Sequence, residues 1–158
     1  MPRVCAELVD VYVFRRAPGV EFLHLRRVGG SMHGTWHPIM GTIEPGEESP
    51  ACARRELKEE AGLEAGDPAW VGFWALQGVH PYYIARRDAI LLTPRFAAEV
   101  AAGWAPRLNE EHDAFRWVAL ADVPRVFMWP GQRAAIDEIV RTIVGGGVEE
   151  AAMRLSQE

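Results

Sequence analysis

Apolar and polar positions change period several times along this chain. Residues 4–14, Val-Cys-Ala-Glu-Leu-Val-Asp-Val-Tyr-Val-Phe, are rich in β-branched and aromatic types and predict a strand. Ala17-Pro18-Gly19 reads as a turn. Val20 to Arg26 reads as a second strand that closes a hairpin. Gly29-Gly30-Ser31 is loop, and Trp36 to Met40 is a short extended piece. Residues 69–79, 88–97 and 115–120 carry further strand patterns. Two segments switch to the helical period. Ser49-Pro50 marks a start, with Ser as N-cap and Pro at the first helical position, and Gly62 marks a stop, so a helix is predicted over about 50–61. A second is predicted over about 131–144, where Ile136, Ile139, Val140, Ile143 and Val144 follow the spacing of a core-facing stripe before Gly145-Gly146-Gly147. Interleaved strands and helices without repeat or linker predict one α/β layered domain over 1–147. Residues 148–158 read as a tail, a frayed helix or a disordered end.

Composition adds three constraints. The chain is 49% hydrophobic and 25% charged, which is the balance of an ordinary soluble globule. At 158 residues it needs no disulfide or structural metal to hold a core. Its two cysteines, Cys5 and Cys52, make no disulfide framework, so a reducing cytoplasm is the expected compartment. No apolar run reaches the roughly 20 residues of a membrane span, and the N-terminus meets Glu7 before any signal-peptide core. The net charge of −5 argues against a broad nucleic-acid-binding surface. A phosphate substrate suits such a chain only if divalent cations sit where its acids are concentrated.

The acids are concentrated in Gly41-Thr42-Ile43-Glu44-Pro45-Gly46-Glu47, seven further residues, and Arg55-Glu56-Leu57-Lys58-Glu59-Glu60-Ala61-Gly62-Leu63. On a helix, Glu56, Glu59 and Glu60 fall at about 0°, 300° and 40°, three carboxylates within one arc of about 100°. Glu56 and Glu60 are i,i+4 neighbours, and a like-charge pair there costs a few tenths of a kcal/mol. A hard divalent cation turns that cost into a site, since Mg²⁺ takes oxygen ligands and keeps positions for phosphate oxygens. Arg55 lies one turn before Glu59 and is placed to hold it by charge-assisted hydrogen bonds. Lys58 points away from the acids. Gly41 and Gly46 suit a tight loop folding back on the helix, and Glu47 in that loop can approach the same cluster.

The stretch 41–63 resembles the Nudix box, Gly-x5-Glu-x7-Arg-Glu-apolar-x-Glu-Glu-x-Gly-apolar, at every fixed position. The resemblance implies a Nudix-type α/β/α sandwich with a mixed β-sheet between helices. It implies a pyrophosphohydrolase that uses Mg²⁺ or Mn²⁺ on a nucleoside diphosphate joined to some other group. By position, Glu56 and Glu60 look like metal ligands, Glu59 like a ligand or the base that activates water, and Arg55 like the orienting group. A further acid outside the box often joins such sites; Glu111 is the candidate here, with Glu110 second.

A second resemblance concerns one branch of the family, the dihydroneopterin triphosphate diphosphatases. It rests on Glu111-His112-Asp113-Ala114-Phe115-Arg116-Trp117, on Gln132-Arg133-Ala134-Ala135-Ile136, on Trp36 and on Arg26-Arg27. It implies Arg26 as a phosphate contact and Trp36 as a base or pterin contact, with Gly41 also on the substrate side. Trp129 stands one residue too far from the Gln-Arg pair for that branch, and other nucleoside triphosphates, dinucleoside polyphosphates and ADP-ribose stay open. Other singled-out residues have plainer readings. His112 reads as structural or solvent-facing, His24 as packed or solvated, and Cys52 as a small helix-packing residue. Trp70, Phe73 and Trp74 read as core, and His33 and His37 as no zinc pair, because Gly34 and Pro38 disfavour a helix. The expected partner is a small organic pyrophosphate, with no nucleic-acid polymer and no membrane; a homodimer is open. The rival functions are a nucleotide-binding Nudix module without catalysis and an isomerase of the same fold using Cys52 or Cys5; the intact acid box favours the hydrolase over both.

Overall fold

In the computed structural model, which describes residues 1–157, period two runs through the central strands with apolar side chains on both faces. The strands are β1 (Arg3–Cys5), β2 (Leu8–Arg16), β3 (Val20–Arg27), β4 (Trp36–His37), β5 (Ile39–Thr42), β6 (Trp70–Ala75), β7 (Tyr82–Ile84), β8 (Ala89–Leu91), β9 (Arg95–Val100) and β10 (His112–Ala119). The helices are α1 (Ser49–Ala61), α2 (Val123–Val126), α3 (Pro130–Glu138) and α4 (Glu150–Met153). Along β2, Val9, Val11 and Val13 join one core cluster, while Tyr12 and Phe14 join another. In β3, Leu23 and Leu25 join the first and Phe22 the second. A sheet apolar on both faces must be covered on both.

Helix α1 covers the first face with Cys52, Ala53, Leu57 and Ala61. Three of these four side chains are small, so the helix approaches the strands closely; Leu57, fully buried, contributes about 1.5–3 kcal/mol by its burial. Helix α3 and the π-helical turn that continues it, Ile139–Val144, cover the other face with Ala135, Ile136, Ile139 and Ile143. The main sheet runs β10-β3-β2-β9-β6, with β5 paired to β2 and β4 to β3. Within it β2 and β9 are parallel and the other pairs antiparallel. The mixed sheet between helices is the architecture the sequence predicts.

Several boundaries move. The strand expected over 4–14 is two strands in different sheets: β1 pairs with β8 in a small sheet, β1-β8-β7, and β2 begins after Ala6-Glu7. The strand expected over 88–97 is likewise β8 and β9, separated by Leu92-Thr93-Pro94. Pro94 has no N–H for a ladder, so that break was marked in the sequence; the one at Ala6-Glu7 depends on the distant ion pair between Glu7 and Arg87 and on Glu7 O accepting the Ile43 N–H. Strand β7 was not expected. Glu48, not Ser49, caps α1, without a side-chain bond, while Gly62 ends it as expected in the left-handed conformation at φ 69°. The helix expected over 131–144 widens to π geometry from Ile139, where the Thr142 hydroxyl donates to Glu138 O at 2.7 Å and competes with the α-helical ladder.

The last residues are docked, contrary to the frayed or disordered end expected. Met153 is buried in the second core cluster, Leu155 N–H donates to Phe73 O, and Arg154 bridges to Trp74 on the edge strand β6. The Trp74 indole donates to Glu150 at 2.7 Å, and Arg54, on α1, donates to Ser156 O at 2.6 Å. Met153→Ala is expected to cost about 2 kcal/mol in a denaturant titration, the low end for a buried methionine because neighbours at a chain end collapse into the space. An unchanged midpoint would show that the segment does not hold to β6. Among the described residues no helix is long and apolar enough to cross a membrane.

Candidate active site

The geometry of the box follows from its glycines and from Arg55. Gly41, on β5, lies directly against the Glu56 side chain; a β-carbon there would occupy the space of Glu56 Cγ, Cδ and Oε1. Only glycine lets that carboxylate lie on the strand. Gly46, at φ 81°, turns the loop so that the Glu44 N–H donates to Glu47 Oε2 at 2.9 Å. Arg55 then grips Glu47 with two bonds, Nε to Oε1 at 2.9 Å and Nη2 to Oε2 at 3.0 Å. It also donates to Glu56 at 2.7 Å and to Thr42 O at 3.0 Å, and more weakly to Glu59 at 3.4 Å. Its main partners are therefore Glu47 and Glu56, with Glu59 secondary, where the helical spacing pointed first to Glu59. The paired hydrogen bonds from Arg55 and the Glu44 N–H hold the Glu47 carboxyl down to about 2.

Glu56, Glu59, Glu60 and Glu111 all line one cleft of about 510 Å³, with Gly41, Arg27 and Arg55. Glu110 is not among its lining residues. Glu111 reaches it from the loop before β10, which is pinned where the Glu111 N–H donates to Asn109 and the Val28 N–H donates to Glu111 O. Glu60 is 4% exposed and Glu56 7%, whereas the Glu59 side chain is 53% exposed. Burial first, then the charges of Glu56 and Glu111, push the Glu60 carboxyl up to about 9. Burial also raises Glu56, against the pull of Arg55. Glu60 Oε2 is buried with no hydrogen-bond partner among the described residues. Buried, crowded carboxylates with an orphaned oxygen favour positive charge among them. An all-oxygen set of this kind fits a hard divalent cation.

Arg26 and Trp36 are elsewhere. On β3, Arg27 shares the α1 side with Leu23 and Leu25, and Arg26 shares the other side with Phe22. Arg26 pairs with Asp113 at 2.7 Å and lies over the Trp36 ring, 5.8 Å from its centroid. Trp36 also stacks near His24, which packs on Phe127 at 3.9 Å between ring centroids. Neither lines the acid cleft. Two residues to which the sequence assigned no part in the acid site do belong beside it. Arg27 lines the cleft, and His112, 8% exposed, lies beside Glu60 and Glu111, so of its two readings the structural one holds and the solvent-facing one does not. The β10–β3 register shifts between His112 and Ala114, so Asp113 turns to Arg26 while His112 stays opposite Arg27. Strand parity could have separated Arg26 from Arg27, but both faces of β3 are apolar and parity alone did not say which face carries the acids. Cys52 is fully buried, and burial followed by the Glu47 charge pushes its thiol up to about 12, so it packs and is no nucleophile.

Comparison with known proteins bears on the family and the fold. The NUDIX domain model matches residues 7–139. The bis(5'-nucleosyl)-tetraphosphatase (asymmetrical) of Sus scrofa is 30% identical over 128 residues, which cover 75% of this chain and 78% of that protein. Among solved structures, an Ap4A hydrolase from C. elegans in a binary complex superimposes with a TM-score of 0.73 at 19% identity, over 89% of this chain and 99% of that one. The E. coli dihydroneopterin triphosphate pyrophosphohydrolase gives 0.71 at 18%, over 92% and 99%. With the box intact, its acids gathered on one cleft and the family model spanning most of the sequence, the chain belongs to the NUDIX family and is a Nudix hydrolase of small-molecule diphosphates.

Proposed function

We propose that this hydrolase cleaves a phosphoanhydride bond of a nucleoside polyphosphate or related organic pyrophosphate with Mg²⁺ or Mn²⁺. The observation that carries this is the convergence of Glu56, Glu59, Glu60 and Glu111 with Arg27 on one cleft. Glu56, Glu60 and Glu111 would hold the cation. When bound, a divalent cation neutralises phosphate oxygens and acidifies water. Glu59, the most exposed of the three helix acids, accepts the proton of the attacking water. Arg55 fixes Glu47 and Glu56 and so keeps the loop and helix acids in register. Arg27 stands on the same cleft as the phosphate contact, in place of Arg26. Most of the acceleration then comes from positioning and charge stabilisation of an in-line transfer to water.

A dinucleoside tetraphosphate is the first substrate to test, because the pig relative is named for that class and shares 30% identity over most of its length. Dihydroneopterin triphosphate is the second, on the Glu111-His112 segment alone, since Arg26 and Trp36 lie off the cleft. A panel of these two with 8-oxo-dGTP, ADP-ribose and the common nucleoside triphosphates, with and without Mg²⁺ or Mn²⁺, is expected to give metal-dependent product release from at least one. Tight binding without any turnover would instead favour the nucleotide-binding module. On the best substrate, Arg27→Ala should raise KM about tenfold or more, the loss of one hydrogen bond to a charged group. Arg26→Ala breaks only a solvent-exposed ion pair with Asp113, weakened by water and salt, and should leave KM nearly unchanged. The reverse order would return the phosphate contact to Arg26.

A further inference from the structure

His112 is the buried polar group beside the acids that this chemistry leaves unused. One of its ring nitrogens and one carboxylate oxygen each from Glu60 and Glu111 lie within 4.8 Å of one another. His112 Nδ1 and Glu60 Oε2 are both buried and have no hydrogen-bond partner among the described residues. Each such orphan costs about 1–3 kcal/mol of desolvation. Two donors bound to one ion at about 2.2 Å stand at most about 4.4 Å apart, so a small side-chain rotation brings all three onto a common centre. The strand holds His112 there: the main-chain His112 N–H donates to Asn109 O at 3.3 Å, and the register sets it opposite Arg27.

We propose that His112 contributes an imidazole nitrogen to the metal centre with Glu60 and Glu111, giving a mixed nitrogen–oxygen site that favours Mn²⁺ over Mg²⁺. Mg²⁺ demands oxygen ligands in near-ideal octahedral geometry, whereas imidazole suits first-row transition ions. This assignment rests on the acid cluster holding a divalent cation, and the test separates the two. Mn²⁺ is bound to the full chain, and pulsed EPR reads hyperfine coupling to ¹⁴N. Calorimetry gives Kd for Mn²⁺ and Mg²⁺ in the wild type, His112→Gln and His112→Asn, with thermal melts checking that each variant folds. His37→Gln is the control, since His37 is a second buried imidazole close enough to His112 for their charges to interact. Expected are a ¹⁴N coupling in the wild type and in His37→Gln, its loss in the folded His112 variant, and a rise in Mn²⁺ Kd of at least about tenfold, the scale set by losing even an outer-shell partner. Mg²⁺ affinity should change far less. Mn²⁺ bound without ¹⁴N coupling in the wild type would overturn the role of His112 and leave the carboxylate centre standing. Absence of Mn²⁺ binding, or binding untouched by Glu60→Gln, would overturn both.

Discussion

Glu60→Gln is expected to lower kcat on the best substrate of the panel by about 10³-fold, because in the proposed metal centre a neutral amide would give up a cation-holding charge worth several kcal/mol in the transition state. The same substitution should stabilise the protein when metal is removed. Glu60 is 4% exposed, and burial followed by Glu56 and Glu111 raises its carboxyl from 4.5 to about 9. Below pH about 4.5 the group is protonated in both folded and unfolded chains and has no effect. Between about 4.5 and 9 the folded chain keeps a proton that the unfolded chain has released, so stability falls as pH rises through that window. Thermal melts in EDTA should therefore show the wild type losing Tm from pH 6 to pH 9 and Glu60→Gln losing much less. Added Mg²⁺ or Mn²⁺ should reverse the order, since a ligand that binds only the folded chain stabilises it. Full activity in the folded variant, or a wild-type Tm that does not respond to pH without metal, would remove the basis for the proposed metal centre.

Gly41→Ala is expected to cost about 10²-fold in kcat/KM while the fold survives. The new methyl group would take the space of Glu56 Cγ, Cδ and Oε1. Glu56 is in addition held by Arg55 at 2.7 Å, so its displacement also disturbs the guanidinium that grips Glu47. A catalytic group misplaced by about 1 Å can cost about 10²-fold, whereas overpacking of this size costs about 1–3 kcal/mol of stability. Circular dichroism and a denaturant titration check the second figure, and Mn²⁺ calorimetry should show weaker binding. Wild-type kinetics in Gly41→Ala would mean that Glu56 does not need its place against β5. Glycine at this point of the box is thus explained by a neighbouring carboxylate rather than by a turn.

Both predictions draw on sites that the sequence made legible to different degrees. The helix from 49 to 61 could be read because its signals are local: Pro50 in the first turn, Gly62 past the end, and acids spaced to share an arc. The stripe at Ile136, Ile139 and Ile143 was equally local, though the π turn was not, since it follows from one hydroxyl competing for one carbonyl. Glu111 was named from its likeness to the family and does line the cleft, but the loop that delivers it is set by hydrogen bonds to Asn109 and Val28. Arg26 and Trp36 were named from their likeness to one branch of the family, and the sheet carries them to the other face. The docked C-terminal residues were missed because four residues of helix carry too little pattern, and their order comes from contacts with Trp74, Phe73 and Arg54.

By itself the sequence determined an α/β fold, from its alternating strand and helix periods and its likeness to the family, and the helix that gathers the acids, because spacings of three or four residues are converted by any α-helix into one face. Tertiary structure alone decided which arginine meets the cleft, that His112 stands beside Glu60 and Glu111, and that Glu60 is buried enough to resist ionisation. Those outcomes turn on strand register, a bulge at Asp113 and the packing of a helix on a sheet, and each joins residues tens of positions apart through contacts that no local pattern encodes.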